Sequence, residues 1–262
     1  MSKLEVNRRA FITSLGGAAA VSLLSHEDRA EALEHYMIEE LEQQDAPAQT
    51  QSGGSIYSKP AKARGVGTVF RMDDLEDMPA QPTLMDFYKK RFRSSHVIRS
   101  ATHALDTGQP ERTVFACLIH DVTQALVRSD HGWWGGQLFE PYVDERISWA
   151  VRYHQALRFF PDASVGYEYP EMYNRIWGVD YDPDDYIKQA HKDALAHKYY
   201  MEARLVTMND EYGFDRDIEV GPIEDFTDII GRQFKQPKEG LGYDSSPTAH
   251  MWRTLINPNR RL

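Results

Sequence analysis

The sequence predicts an all-α fold, on three observations. Apolar residues recur at helical spacing in more than one window: Leu84, Phe87, Phe92, Val97, Ile98 and Leu105 in one, Ile147, Val151 and His154 in another. Helix starts and stops punctuate these windows, with Thr83 and Asp144 as caps, Pro110 near a first turn and Gly108 as a stop. Strand-like alternation is scarce.

Composition sets the outer limits. The 262 residues suit one globular domain with extra segments, and 41% hydrophobic with 11% aromatic residues suffice for a core. A net charge of −10 argues against nucleic acid and against an anionic membrane surface as partners. The single cysteine, Cys117, cannot pair within the chain and reads as a small core residue.

In chain order, residues 1–32 come first, with "NRRAFITSLGGAAAVSLLS". Arg8 and Arg9 precede Phe11, Ile12 and a weakly apolar run too short to span a membrane. The stretch resembles a twin-arginine export signal, with Ala30-Glu31-Ala32 as a small-x-small cleavage site, although charged residues stand before it. That resemblance implies the twin-arginine export machinery as a partner and an exported, periplasmic location; a short N-terminal helix in a cytoplasmic protein is the other reading. Residues 33–80 are expected to be a variable linker, since 43–67 are rich in Gln, Ala, Ser, Gly and Pro.

The domain proper is expected over 81–215. It should hold one helix in 82–108, a second in 110–126, a third from Asp144 to Phe160 and a long one after Pro183 reaching Met208. Trp133, Trp134 and Trp149 read as core. The tail, 216–262, is punctuated by Gly and Pro but carries Phe226, Phe234 and Trp252, so short helices and loops packed on the domain are expected.

The chemistry lies in the histidines and aspartates. "CLIHD" ends an apolar run in His120 and Asp121, two residues that favour burial only when something satisfies them. His96, His131, His154 and Asp210 are candidates to answer them. Four imidazoles and two carboxylates suit a pair of ions: imidazole accepts Fe, Zn, Mn and Ni, and a carboxylate can bridge two. No cysteine joins the set, which excludes zinc-finger and iron–sulfur chemistry at this site. His103 lies two turns beyond His96 on the same helix face and competes with it.

The order H…HD…H…H…D, with steps of 24, 11, 23 and 56 residues, resembles the HD-domain superfamily over roughly residues 83–215. Its texture is similar to the mixed-valent diiron oxygenases, the inositol oxygenases and phosphonate-cleaving enzymes among them. The stretches that carry this are "HVIRSATHALDTG", "CLIHD", "HGWWGGQLF", "ISWAVRYHQALRFF" and "NDEYGFD". The resemblance implies an HD-type helical bundle and a metal set of His96, His120, Asp121, His131, His154 and Asp210, with Asp121 as the bridge. It implies two iron ions, or manganese or zinc in a hydrolase, and O2 as co-substrate.

The resemblance implies that Arg158, one turn after His154, stands in for a substrate-binding lysine, and Tyr212 is a further candidate for reaching the substrate. The chain departs at "VTQ", where relatives often carry a glycine and then a basic residue; Thr123 and Gln124 stand there, and Gln124 is expected to contribute to substrate choice. Three readings follow: an oxygenase acting on a small hydroxylated or anionic molecule, with His120, Asp121 and Arg158 as its catalytic residues; a metal-dependent phosphohydrolase; and a metal-binding protein without turnover. Stable membrane insertion is not expected.

Overall fold

The computed structural model of the protein describes residues 4–49, 75–92, 94–127, 130–178 and 182–258. Among them every regular element is helical, and the only β pairing is an isolated bridge between Asp162 and Tyr167. In chain order the helices are α1 (Arg8–Ser14), α2 (Ala18–Val21), α3 (His26–Gln49), α4 (Leu84–Lys90), α5 (Ser95–Asp106), α6 (Glu111–Ile119) and α7 (His131–Phe139). They continue with α8 (Glu145–Leu157), α9 (Glu171–Trp177), α10 (Asp185–Ala196), α11 (Tyr200–Asp210), α12 (Thr227–Gln233) and α13 (Ala249–Ile256).

α6 is the central helix. Pro110 precedes its first turn, and every residue from Thr113 to Ile119 is buried, the mark of a helix enclosed on all sides. α5, α8, α11 and α12 pack against it. The C-terminal tail closes the same core: Trp252 is wholly buried, with its ring 4.8 Å from Phe87 and 5.5 Å from Phe139. Phe226 and Phe234 are buried with it.

Three expected helices break, the one over 110–126 after Ile119. The one over 82–108 is interrupted after Lys90, because Arg91 leaves helical geometry and turns inward. Its buried guanidinium donates to the carbonyls of Leu255 (2.8 Å), Ile256 (3.2 Å) and Glu76 (2.9 Å), satisfying the end of α13. Thr83 and Asp86 start α4 with a reciprocal capping box. The long helix after Pro183 breaks at His197, whose backbone is extended, which separates α10 from α11. Trp133 and Trp134 also depart from expectation: they stand 37% and 38% exposed, because Gly132, Gly135 and Gly136 form the face of α7 that meets α8.

The linker expectation is corrected over 33–49, which belong to α3, with Leu33 and Leu41 buried; residues 50–74 lie outside the described ones. Phe11, Leu33, Met37 and Leu41 form a second apolar cluster with Ala156, Phe159, Tyr173 and Ile176. α3 also caps α5: the Glu42 carboxylate accepts from Ser94 N–H (3.1 Å), Ser95 N–H (3.1 Å) and Ser95 Oγ (2.9 Å). Ala30 is wholly buried inside this helix, so the folded chain does not present Ala30-Glu31-Ala32 as an extended cleavable segment. No described helix is long and apolar enough to cross a membrane.

Candidate metal centre

Six side chains from five segments converge where α5, α6, α7, α8 and α11 meet. His96, His120, Asp121 and Asp210 each bring one donor atom within 4.8 Å of the others, and Asp121, His131 and His154 form a second such group. Asp121 belongs to both. Its Oδ2 lies 3.4 Å from His96 Nε2, and its Oδ1 lies 2.9 Å from His131 Nε2 and 3.7 Å from His154 Nε2. Asp210 Oδ1 sits 2.9 Å from His96 Nε2 and 3.4 Å from His120 Nε2. His103 does not join them: its ring stacks on Tyr212 at 3.5 Å and its Nδ1 meets Asn209 Oδ1 at 2.7 Å.

Local structure explains the convergence. α6 ends at Ile119, and a 3-10 turn over Val122–Ala125 follows, so His120 and Asp121 stand at a change of direction with neighbouring but distinct aims. His120 Nδ1 bonds the Cys117 carbonyl at 2.7 Å, and His154 Nδ1 bonds the Val151 carbonyl at 2.6 Å; each therefore turns Nε2 outward. The end of α8 is held by α11. Thr207 Oγ1 donates to His154 O (2.7 Å), and Arg204 donates to Leu157 O (3.1 Å) and Phe160 O (3.0 Å). That brace sets His154 relative to Asp210 at the far end of α11.

"VTQ" builds the site as well. Thr123 Oγ1 donates to His131 O at 2.8 Å, and Gln124 Nε2 donates to Asp121 Oδ2 at 2.9 Å. Gln124 thus touches the shared carboxylate. Gly213 is a necessity of space: a Cβ there would stand 2.6 Å from Ser100 Oγ and closer still to the His96 ring.

The electrostatics suit a metal-binding set. Burial alone would raise both carboxyl groups, yet Asp121, facing His120 and His131, and Asp210, facing His120 and His96, are held well below the usual carboxylate range. Burial opposes the charge on His120, but Asp121 and Asp210 lift it to about 9, and Glu31 and Asp121 lift His131 well above its ordinary value. Burial and the neighbouring imidazoles push His154 down, and its buried Nε2 has no hydrogen-bond partner. A buried imidazole nitrogen left unsatisfied 3.7 Å from the Asp121 carboxylate is an electron-pair donor in want of a cation. With no thiolate in the set, the donors fit one or two borderline or hard divalent or trivalent ions, and the groups could hold them.

Arg158 is held by the protein's own carboxylates. It is buried against three carboxylates of α3: Nη2 lies 3.1 Å from Glu27 Oε1 and 2.9 Å from Glu31 Oε1, and Nη1 meets Glu34. Gln155 donates to Glu27 at 2.8 Å and to Glu31, and Tyr173 donates to Glu34. Burial raises Glu27 to about 7 and Glu34 to about 8 against the pull of Arg158. Glu31, facing both His131 and Arg158, overcomes burial and falls to about 2.

These glutamates escaped sequence reasoning. Their signal was present as the spacing 27, 31, 34, one face of a helix, inside a segment read as address and linker. His191 stacks on Phe160 and His197 on Trp149, both outside the cluster. Beside the cluster is a cavity of about 610 Å3 whose walls include Glu34, Arg158, Tyr167, Tyr173, Thr207, Asp210 and Phe214. Of the expected substrate contacts Arg158 is in those walls, and Gln124 and Tyr212 are not.

No protein-family model matches the chain, and a search of curated proteins finds no significant match.

Proposed function

We propose that the protein is a dinuclear metalloenzyme of the HD type, and that it binds two iron ions and uses O2 to oxidise a small hydroxylated or anionic molecule. The observation that carries the reading is Asp121, which faces His96 through one oxygen and His131 through the other, so that one carboxylate joins two donor groups. His96, His120 and Asp210 would complete one ion's shell, and His131 and His154 the other's. When bound, such a pair supplies redox chemistry and Lewis acidity.

The chain's own residues hold and orient. Gln124 steadies Asp121, the α8–α11 brace sets His154 against Asp210, and the neighbouring cavity offers a partly apolar chamber in which a substrate reaches Asp210. Export by the twin-arginine route belongs to the same proposal, supported by exposed Arg8 and Arg9 ahead of Phe11. An intact mass that retains α3 in the exported fraction is its expected outcome.

The test is metal analysis of anaerobically purified protein with electron paramagnetic resonance after partial oxidation. A mixed-valent diiron signal that shifts with a candidate substrate is expected. A single zinc or manganese ion, with phosphate-ester hydrolysis and no O2 uptake, overturns the oxygenase in favour of a phosphohydrolase. Full metal content in both His120→Ala and Asp121→Ala overturns the site.

A further inference from the structure

All four clustered imidazoles sit within or at the end of a helix, and two of them use a carbonyl of their own preceding turn: His120 on Cys117 O, His154 on Val151 O. His131 is the first residue of α7, so no earlier turn of that helix precedes it. Its Nδ1 instead meets Glu31 Oε2 of α3 at 3.1 Å, from one hundred residues earlier in the chain. Glu31 is itself fixed through its other oxygen, which accepts from Arg158 Nη2 at 2.9 Å and from Gln155 Nε2. Gln155 also accepts from Gly132 N–H at 3.0 Å, so the residue that holds Glu31 also holds the backbone beside His131.

We propose that Glu31 is a positioning residue of the metal centre, holding His131 in the tautomer and ring orientation that turn Nε2 toward Asp121. An ionised carboxylate only accepts hydrogen bonds, so the nitrogen facing it carries the proton and the other nitrogen is left as the metal donor. His131 Nε2 lies 2.9 Å from Asp121 Oδ1, the shortest approach in the second donor group. Because Glu31 carries a full charge where Cys117 and Val151 offer neutral carbonyls, it also makes His131 the most basic of these three imidazoles toward a metal. The two donor groups are therefore unequal by construction: the one containing His131 and His154 depends on α3, and the one containing His96, His120 and Asp210 does not depend on Glu31.

This inference rests on the dinuclear reading above and has its own test. Full-length wild type, Glu31→Leu, Glu31→Gln and Glu34→Gln are loaded with Fe(II) without oxygen, and the ions are titrated off with a competing chelator. The two irons are followed separately by Mössbauer spectroscopy. Wild type is expected to hold two ions. Glu31→Leu is expected to hold one of them about 10–100-fold more weakly, with the second unchanged. Glu31→Gln keeps the shape and an acceptor but removes the charge, and is expected to shift one iron's doublet with a smaller loss of affinity.

Glu34→Gln disturbs the same Arg158 cluster without touching His131 and is expected to retain both ions. Wild-type affinity for both ions in Glu31→Leu overturns the inference. So does an equal loss in Glu34→Gln, which would make α3 only a packed helix. If Glu31→Leu does not fold, an unchanged Mössbauer spectrum in Glu31→Gln overturns it instead. A wild-type chain that binds no second ion overturns the dinuclear reading, and this inference with it.

Discussion

Gly213 and His96 are packed so closely that no side chain fits at position 213: a Cβ there would stand 2.6 Å from Ser100 Oγ and closer still to the His96 imidazole. The φ of Gly213 lies outside the left-handed region, so the constraint is one of space alone. Gly213→Ala should therefore push the His96 ring away from Asp210 while leaving His131 and His154 in place. Metal analysis should find one tightly held ion where the dinuclear reading expects two in wild type, with helical content by circular dichroism unchanged. Two tightly held ions in the variant would show that His96 is not a ligand.

Asp121 and Asp210 make the complementary comparison. Asp121 belongs to both donor groups and Asp210 to one. Asp121→Ala should therefore abolish binding of both ions, and Asp210→Ala should remove one. Gln124→Leu, which leaves Asp121 Oδ2 without its 2.9 Å donor, should weaken affinity by about 10–100-fold without changing the number of sites. Equal stoichiometry in Asp121→Ala and Asp210→Ala would refute the shared-carboxylate arrangement.

The helical fold was legible because apolar spacing leaves a local trace, and the six converging residues because their order along the chain resembles a known ligand pattern. Apolar spacing marks α6 and α8, and an HD pair at the end of an apolar run is conspicuous in itself. The rest depended on partners far apart in sequence. Arg91 breaks one helix because the carbonyls of Leu255 and Ile256 need a donor, and nothing near position 91 announces that. Arg158 has the spacing of a substrate-binding residue, but what faces it is set by α3, over 120 residues away. A segment whose composition resembles an export signal concealed a glutamate stripe whose purpose shows only once α3 is docked.

Trp252 anchors the tail that reads as irregular in sequence. It is wholly buried, with edge-on contacts to Phe87, Phe139 and Tyr142. Trp252→Ala should cost about 3–5 kcal/mol, the range for removing a large buried aromatic. Chemical denaturation should show the whole domain destabilised, since the ring sits in the same cluster as α6. A change below about 1 kcal/mol would mean that the tail is not part of the cooperative core.

The docking of α3 should weaken with rising pH. Glu34 faces Arg158 of α8, Tyr173 of α9 and Glu31 of its own helix, with Asp210 of α11 and His131 of α7 further off. Glu27 faces Arg158, Gln155 and Glu31, and its backbone N–H meets Asp184. Burial lifts the two carboxyl groups to about 7 and about 8 from an ordinary 4.5, so below those values each favours its neutral form in the docked helix. A raised folded value contributes stability that is complete below the ordinary value and is lost as pH climbs through the folded one.

The window thus runs from 4.5 to about 8. Hydrogen-exchange protection factors in α3 should fall across that window and level off above it, while those in α6 should change far less. Glu34→Gln cannot ionise and should flatten the upper part of the fall. Constant or rising protection in α3 between pH 5 and 8 would mean that Arg158 holds all three glutamates ionised.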